Sequence, residues 1–324
     1  MKLLRVELTR FRWRRAIVLM LVAGALLTAV IGGTTLWETR PVTAEDRAAA
    51  EAQAAAEAAS PQFERELAAC ERRPRRYMGP GATAADCEQM MPQADWFLYR
   101  SELSLAEENR DSGIGVVFIL AALMIIAGTT FAGADWASGS MSNQLLFEPR
   151  RARIWLAKAG AVFVGALGVS AVILTAFWVT LYLVAEARGI STGATVQEAI
   201  RWTAGRGVVL AAFGAVGGYA LTMLLRHTVG TLAVMFAYAV GGEILIASLP
   251  VEGIGRWSLG NNVFAWLFDG HEYYDPSLPC VNNGPEYCNQ MALISLADGA
   301  WYLGVMLLVL GGASFLLFRR RDIP

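Results

Sequence analysis

Six long apolar stretches dominate this chain of 324 residues and limit the folds open to it. About 20 apolar residues in a helix cross a hydrocarbon core of about 30 Å. A helix also satisfies every backbone N–H and C=O group within the segment, as lipid requires. We therefore predict an all-α polytopic membrane protein with six transmembrane helices, at residues 16–37, 113–133, 157–185, 207–225, 229–249 and 293–318.

The charges between these stretches predict the orientation of the chain. Short cytoplasmic segments of membrane proteins carry an excess of Lys and Arg. Alternate connections and both ends are basic here, and we assign these to the cytoplasm: residues 1–15, 134–156, 226–228 and 319–324. The remaining connections then lie outside, and the first is long enough to form a small extracytoplasmic subdomain. They comprise residues 38–112, 186–206 and 250–292.

The four cysteines, Cys70, Cys87, Cys280 and Cys288, all fall in segments that we assign to the outside. Disulfides persist in oxidising compartments. Four cysteines allow three connectivities, and we favour the two local pairs, Cys70 with Cys87 and Cys280 with Cys288. Four unrelated thiols are the alternative. Neither pair has the CxxC spacing that is typical of a zinc site.

The basic N-terminal segment carries apolar residues at helical spacing. Leu4, Leu8 and Phe11 follow an i, i+4, i+7 pattern, which predicts an amphipathic helix that lies on the inner leaflet with its bases near anionic headgroups. An ordinary basic flank of the first span is the alternative. The apolar run that follows is longer than the 7–15 residues or so of a signal peptide core, so we expect it to remain as a membrane helix.

Two features inside the predicted spans bear on packing and transport. Gly214 and Gly218 form a pair of small residues one turn apart, which lets two helices approach closely. Glu243 is the one carboxylate well inside a predicted span. Because a charge in the membrane is costly, we assign Glu243 to a translocation path or a subunit interface. A protonated side chain, or one that reaches the membrane surface, is the alternative.

Several motifs of enzymes are absent from the sequence. It contains no GxxxxGK[ST], HExxH, GxSxG or GxGxxG, and its two histidines, His227 and His271, are predicted to lie on opposite sides of the membrane. The spacing of His271, Glu272 and Asp275 matches no defined set of metal ligands. We therefore expect neither an enzyme nor a metal or nucleic-acid binding protein, and any energy for transport must come from another chain.

One stretch, residues 133–158, carries a specific pattern. An acidic residue is followed by Gly-Ser, by Leu-Leu, by Pro-Arg-Arg, and by a Lys that opens the third span. In this order the chain resembles the type-2 ABC transporter permeases. Its ending, Phe318-Arg-Arg-Arg-Asp-Ile, is also similar to the close of that family. The residues that match the internal pattern are Asp135, Gly139, Ser140, Leu145, Leu146, Pro149, Arg150, Arg151 and Lys158.

The resemblance implies the permease subunit of an ABC exporter in a bacterial cytoplasmic membrane. Such a subunit pairs with a second permease copy, identical or different, and with two copies of a separate ATPase subunit. This chain would bind no cofactor, because ATP and Mg would bind to the ATPase. The low charge of the spans favours an apolar or amphipathic cargo.

The same stretch has a physical interpretation of its own. Residues 138–147 predict a short helix that ends before Pro149. Apolar side chains on it suit insertion into a groove of a partner protein, with a charged rim behind them. We therefore assign an ATPase-coupling interface to Asp135, Gly139, Ser140, Met141, Asn143, Leu145, Leu146, Phe147, Glu148, Pro149, Arg150, Arg151 and Lys158. A basic loop that rests on the lipid surface is the alternative.

Two other functions fit six membrane helices. A membrane sensor or scaffold would use the outer segment to bind a ligand. A channel or an ATP-independent transporter would show flux without ATP, and the scarcity of charge in the spans argues against it.

Overall fold

The computed structural model describes residues 2–98, 102–249, 251–278 and 290–321. The chain divides into two compact units. The first comprises Met1–Gly32 with Leu105–Pro324, and the second comprises Gly33–Ser104. The described residues form these helices, in chain order: α1 (Lys2–Trp13), α2 (Arg15–Glu38), α3 (Ala44–Ala58), α4 (Pro61–Arg72), α5 (Pro74–Tyr77), α6 (Leu105–Glu108), α7 (Ser112–Ala137), α8 (Ser140–Phe147), α9 (Arg151–Ala187), α10 (Ala194–Leu225), α11 (Thr228–Phe236), α12 (Gly242–Ser248), α13 (Leu259–Phe268) and α14 (Leu296–Arg320).

Six helical segments are long and apolar enough to cross a membrane, which confirms the prediction of an all-α, multi-pass membrane protein. Each of them overlaps one of the predicted spans. Their bounds are Arg15–Glu38, Leu105–Ala137, Arg151–Ala187, Ala194–Leu225, Thr228–Ser248 and Leu296–Arg320.

The helices differ from the predicted spans mainly at their ends. The helix α9 has 37 residues and α10 has 32, so both are longer than the 20 or so residues that cross the hydrocarbon core. As a result, part of the predicted outer loop at 186–206 belongs to α10. The predicted coupling segment at 134–156 is likewise divided among the end of α7, the whole of α8 and the start of α9.

The fifth and sixth spans also depart from the prediction. A π-helical turn, Ala237–Gly241, separates α11 from α12 within the fifth span. The sixth helix begins at Leu296 rather than at 293, because residues before it pair as a strand. Ser295 then caps the helix, since its hydroxyl accepts a hydrogen bond from the Asp298 N–H and the Asp298 carboxylate bonds back to the Ser295 N–H.

The connection between the fifth and sixth spans contains a small antiparallel ribbon. The strand β1 (His271–Tyr274) pairs with β2 (Met291–Ile294), and His271 lies opposite Ile294. Tyr273 and Ile294 pack with Ala265 of α13, so the ribbon and this helix share a small apolar cluster.

Within the first unit, the backbones of α7 and α10 approach closely at glycines. A Cβ atom added to Gly128 would lie 2.0 Å from the carbonyl oxygen of Ala215, and one added to Gly218 would lie 2.6 Å from the carbonyl oxygen of Ile125. Gly214 faces the Ile125 side chain, 3.0 Å from an added Cβ. The pair Gly214 and Gly218 therefore serves helix packing within this chain.

The second unit is built from α3, α4, α5 and two 3₁₀ turns, Ala84–Met90 and Ala94–Phe97. Cys70 of α4 and Cys87 of the first turn form a disulfide, which confirms that predicted pair. The other predicted pair, Cys280 with Cys288, lies outside the described residues. Capping residues define the helix starts: Thr43 caps α3 through Asp46, and Ser60 caps α4.

Candidate functional site

A cluster of five charged side chains joins α1, α7 and α9. This ionic cluster consists of Glu7 and Arg10 of α1, Arg14 between α1 and α2, Asp135 of α7, and Lys158 of α9. The Lys158 Nζ atom lies 2.5 Å from an Asp135 carboxylate oxygen and 2.9 Å from a Glu7 carboxylate oxygen. The guanidinium groups of Arg10 and Arg14 donate to the other oxygen of Asp135, Arg10 at 3.2 Å.

The centre of the ionic cluster is fully buried. Asp135 and Lys158 have 0% of their surface exposed, and the Glu7 side chain has only 4%. Buried charges are costly unless they are paired and hydrogen-bonded. Here three cations meet two carboxylates, and the ring of Phe131 packs 4.9 Å from the Arg14 guanidinium and 5.1 Å from Lys158 Nζ. The cluster therefore fixes three elements to one another.

The residues of α1 reach this cluster because the helix has a distinct inner face. Glu7 and Arg10 are one turn apart and form an ion pair at 3.0 Å. Phe11 is buried against Gly165 of α9, where an added Cβ atom would lie 2.7 Å from the Phe11 ring. The predicted amphipathic segment is thus a helix, but its innermost apolar residue packs on α9 and not into the lipid leaflet.

The short helix α8 is tied to the ionic cluster at its start. Gly139 adopts a left-handed conformation, with φ of 66°, which ends α7 and lets the chain turn into α8. The hydroxyl of Ser140, the first residue of α8, donates to Asp135 at 2.9 Å. Pro149 follows the helix and keeps Glu148 in an extended conformation.

At its other end, α8 exposes two large apolar side chains. Leu146 is 81% exposed and Phe147 is 92% exposed. Met141, in contrast, is fully buried, and Leu145 packs against the core in part. The helix is therefore buried near its start, at Met141, and exposed at its end. We call the two exposed side chains at that end, Leu146 and Phe147, the apolar tip.

The members of the predicted coupling interface differ in how far they are exposed. Asp135, Met141 and Lys158 are buried, so their side chains have no surface to offer to a partner. Asp135 and Lys158 position α8 through the ionic cluster instead. The exposed members of the predicted set are Gly139, Asn143, Leu146, Phe147, Pro149 and Arg150, while Ser140, Leu145, Glu148 and Arg151 are partly buried.

Glu148 and Arg151, two charged residues of the predicted coupling interface, have partners within this chain. The Glu148 carboxylate lies 3.7 Å from the Arg153 guanidinium and accepts a hydrogen bond from the Arg150 N–H at 3.2 Å. The Arg151 guanidinium donates to backbone carbonyl oxygens of Arg319 and Arg321 at the end of α14. The start of α9 is thus joined to the end of the last span.

The sequence pattern predicted Asp135 and Lys158 as site residues but missed Arg10, Arg14 and Glu7, of which Glu7 is the most distinctive. It is the only acidic residue among the first 37, and it stands among six basic ones one turn before Arg10. A lone carboxylate in a basic segment was the available signal that this segment forms ion pairs with the rest of the protein.

Glu243 lies apart from the ionic cluster, in α12. Its carboxylate accepts hydrogen bonds from the Ser258 hydroxyl at 2.7 Å and from the Gly260 N–H at 2.9 Å, so it caps the start of α13. It also lines a cavity of about 690 Å³ together with Tyr273 and Asp275. The predicted assignment of Glu243 to a translocation path remains a prediction, and its structural partners lie within the chain.

Titratable groups near the same cavity have shifted pKa values. Hydrogen bonds from the hydroxyl and N–H of Ser277 lower the pKa of Asp275. Partial burial lowers the pKa of His271, although Glu272 opposes the shift. Among the described residues, no group of three or more His, Cys, Asp or Glu side chains is placed to hold a metal ion.

The chain matches no protein-family model, no curated protein and no solved structure.

Proposed function

We propose that this chain is the membrane-spanning permease subunit of an ATP-driven ABC exporter. It would work as a dimer of permeases with two separate ATPase subunits. The observation that carries the proposal is the exposed apolar tip of α8. The first residue of this helix, Ser140, is hydrogen-bonded to Asp135 of the ionic cluster. The sequence pattern of residues 133–158, which resembles that of type-2 ABC permeases, supports it as well.

The tip has the properties of a contact site for a protein partner. Two adjacent large apolar side chains, almost fully exposed at the end of an eight-residue helix, suit a groove on another protein. Arg150 lies three residues after Phe147 and is exposed, so a basic side chain follows the apolar contact closely in the sequence. Exposed apolar residues that are grouped and rimmed by charge are typical of interaction surfaces.

The ionic cluster explains how force on α8 would reach the membrane helices. Ser140 bonds to Asp135, and Asp135 bonds to Lys158 on α9 and to Arg14 before α2. Because buried ion pairs are strongly unfavourable to break, α8 moves together with the ends of α2, α7 and α9. A partner that pulls or pushes the tip therefore displaces three spans.

The energy source belongs to the partner, since the sequence contains no P-loop. In the proposed cycle, ATP binding closes the two ATPase subunits and shifts both copies of α8. A cavity between the two permeases then opens to the other side of the membrane. The cargo class that suits spans of low charge is apolar or amphipathic.

A photocrosslinking experiment tests the partner at the tip. A photoreactive amino acid replaces Phe147 in the full chain, which is irradiated in its native membrane and analysed by mass spectrometry. We expect a crosslink to a P-loop ATPase that becomes stronger with a non-hydrolysable ATP analogue. The matched control is the same probe at Val251, another exposed apolar residue, in the connection between the fifth and sixth spans.

The outcomes separate the proposal from a lipid-bound loop. Crosslinks from position 147 to lipid alone, with none to an ATPase, would contradict the proposal. An ATPase crosslink of equal strength from position 251 would also contradict it, since that site is predicted to lie on the opposite side of the membrane.

A further inference from the structure

An apolar groove lies between α1, α2 and α9. Its volume is about 740 Å³, within the range of small-molecule and cofactor sites. Aliphatic side chains of two membrane helices form its walls, among them Leu21 and Val22 of α2 and Val169, Val172 and Ile173 of α9. The groove thus offers a hydrocarbon surface to whatever occupies it.

Glycine keeps one wall of the groove open. A Cβ atom added to Gly168 would meet no atom within 4 Å, although Gly165, one turn earlier, is tightly covered by Phe11. The volume at Gly168 is therefore free for a ligand, since no side chain of the described residues fills it.

The mouth of the groove is basic. Arg5 and Arg12 of α1 line it, and they lie two helical turns apart, so they share a face of α1. Both are exposed, and among the described residues neither lies within 4.0 Å of a carboxylate oxygen, whereas Arg10 and Arg14 bind Asp135. Trp13, also at the mouth, is 68% exposed, and the Arg12 guanidinium lies 5.1 Å from its ring.

An apolar groove with a basic mouth fits one class of ligand. We propose that the groove binds an acyl chain of an anionic phospholipid from the surrounding bilayer, with the phosphate held by Arg5 and Arg12. Guanidinium groups bind phosphate oxygens in a fork geometry. Trp13 is suited to the headgroup level, where tryptophan is enriched. The proposal does not depend on the partner at α8.

Crosslinking from the lipid side tests this site. The full chain is placed in nanodiscs that contain a phosphatidylglycerol with a photoreactive group on its acyl chain, or the matching phosphatidylcholine. Irradiated protein is digested, and the modified peptides are mapped. We expect labelling of α9 at residues 164–173, with phosphatidylglycerol labelling this segment more strongly than phosphatidylcholine does.

Two pairs of variants separate the headgroup contact from the groove. Arg12→Gln should weaken phosphatidylglycerol labelling about ten-fold, because one charge-assisted contact to the phosphate is lost. Arg15→Gln is its control, because Arg15 is exposed in the same basic segment but does not line the groove. Gly168→Leu should strongly reduce labelling of residues 164–173 of α9 by either lipid. Gly304→Leu is its control, since an added Cβ atom there also meets nothing within 4 Å.

The proposal is overturned by either of two results. One is equal labelling by phosphatidylglycerol and phosphatidylcholine, together with no effect of Arg12→Gln. This would mean that Arg5 and Arg12 do not select an anionic headgroup. The other is unchanged labelling of residues 164–173 in Gly168→Leu, which would mean that the acyl chain does not occupy the groove.

Discussion

Asp135 is the residue on which the end of α7 depends. Its carboxylate accepts hydrogen bonds from Lys158, Arg10, Arg14 and Ser140. These donors come from three parts of the chain, namely the N-terminal segment, α8 and α9, and Lys158 is as deeply buried as Asp135 itself. A single neutralising substitution at Asp135 therefore affects every element of the ionic cluster.

We expect Asp135→Asn to lower the free energy of unfolding by about 3–5 kcal/mol, because it leaves buried cations without their main counter-charge. Unfolding in detergent, followed by helical circular dichroism, measures the change. Glu148→Gln is the control: it removes a carboxylate from a pair with Arg153, which is 60% exposed, and should cost at most about 1 kcal/mol. Equal losses in the two variants would show that the cluster is not a buried unit.

A double-mutant cycle measures the central ion pair itself. Asp135→Asn and Lys158→Met, singly and together, should show a coupling energy of about 1–3 kcal/mol, since the two side chains are in direct contact. The same unfolding assay gives the four free energies. Additive effects, with no coupling, would contradict a direct contribution of this pair to stability.

At the residue scale, the sequence pattern predicted two members of the ionic cluster as site residues, but it did not predict that they are buried together. Asp135 and Lys158 were singled out by their order around a Gly-Ser and a Leu-Leu pair, yet a motif does not tell which members are buried. Glu7 was missed because its partner Lys158 is 151 residues away. Local patterns such as hydrophobic periodicity carry no record of such a distant contact.

Among the helices, the contact of α7 with α10 depends on backbone proximity. Gly218 faces the carbonyl oxygen of Ile125, so any side chain there forces the two helices apart. Gly217, its neighbour, would place an added Cβ at 3.9 Å from Leu307, which is an ordinary contact. The two adjacent glycines thus make different demands on the same helix.

We expect Gly218→Ala to destabilise the protein by about 1–3 kcal/mol, the usual cost of overpacking a tight contact. Gly217→Ala should be neutral or should stabilise the helix by up to about 1 kcal/mol, because alanine is the better helix former. Thermal unfolding of the two variants in the same detergent compares them directly. A larger loss for Gly217→Ala would contradict the packing described for α10.

The sequence predicted the helical spans well but their ends less well. Apolar length identifies the part of a helix that lipid requires, and six such segments are present. The extensions of α9 and α10 beyond the predicted spans include charged residues. Hydropathy alone therefore did not include these extensions in the spans. The strand Met291–Ile294 is apolar and continuous with the sixth span, and only its pairing with His271–Tyr274 shows that it is not helical.

In the molecule as a whole, the unit Gly33–Ser104 has its own means of stabilisation. It is small, and a disulfide closes a loop between Cys70 and Cys87, which are 17 residues apart. Small units rely on such crosslinks because their apolar cores are limited.

We expect replacement of both cysteines by alanine to destabilise this unit by about 3 kcal/mol, the value typical of a loop of this length. Limited proteolysis of the full chain should then cut within residues 33–104 at lower protease concentration than in the native protein. Native protein treated with a reductant is the control and should behave like the variant. Cleavage that neither treatment accelerates would contradict a stabilising role for the disulfide.

The function of the whole molecule depends on whether α8 engages an ATPase. The direct measurement is purification of the chain from its native membrane in a mild detergent, with identification of bound proteins and assay of ATP hydrolysis. We predict a stoichiometric P-loop ATPase whose association and activity are lost in the variant Leu146→Asp with Phe147→Asp, while the helical circular dichroism is unchanged. A chain that purifies without an ATPase in the presence of ATP, or a variant that retains full ATPase activity, would contradict the proposed permease function.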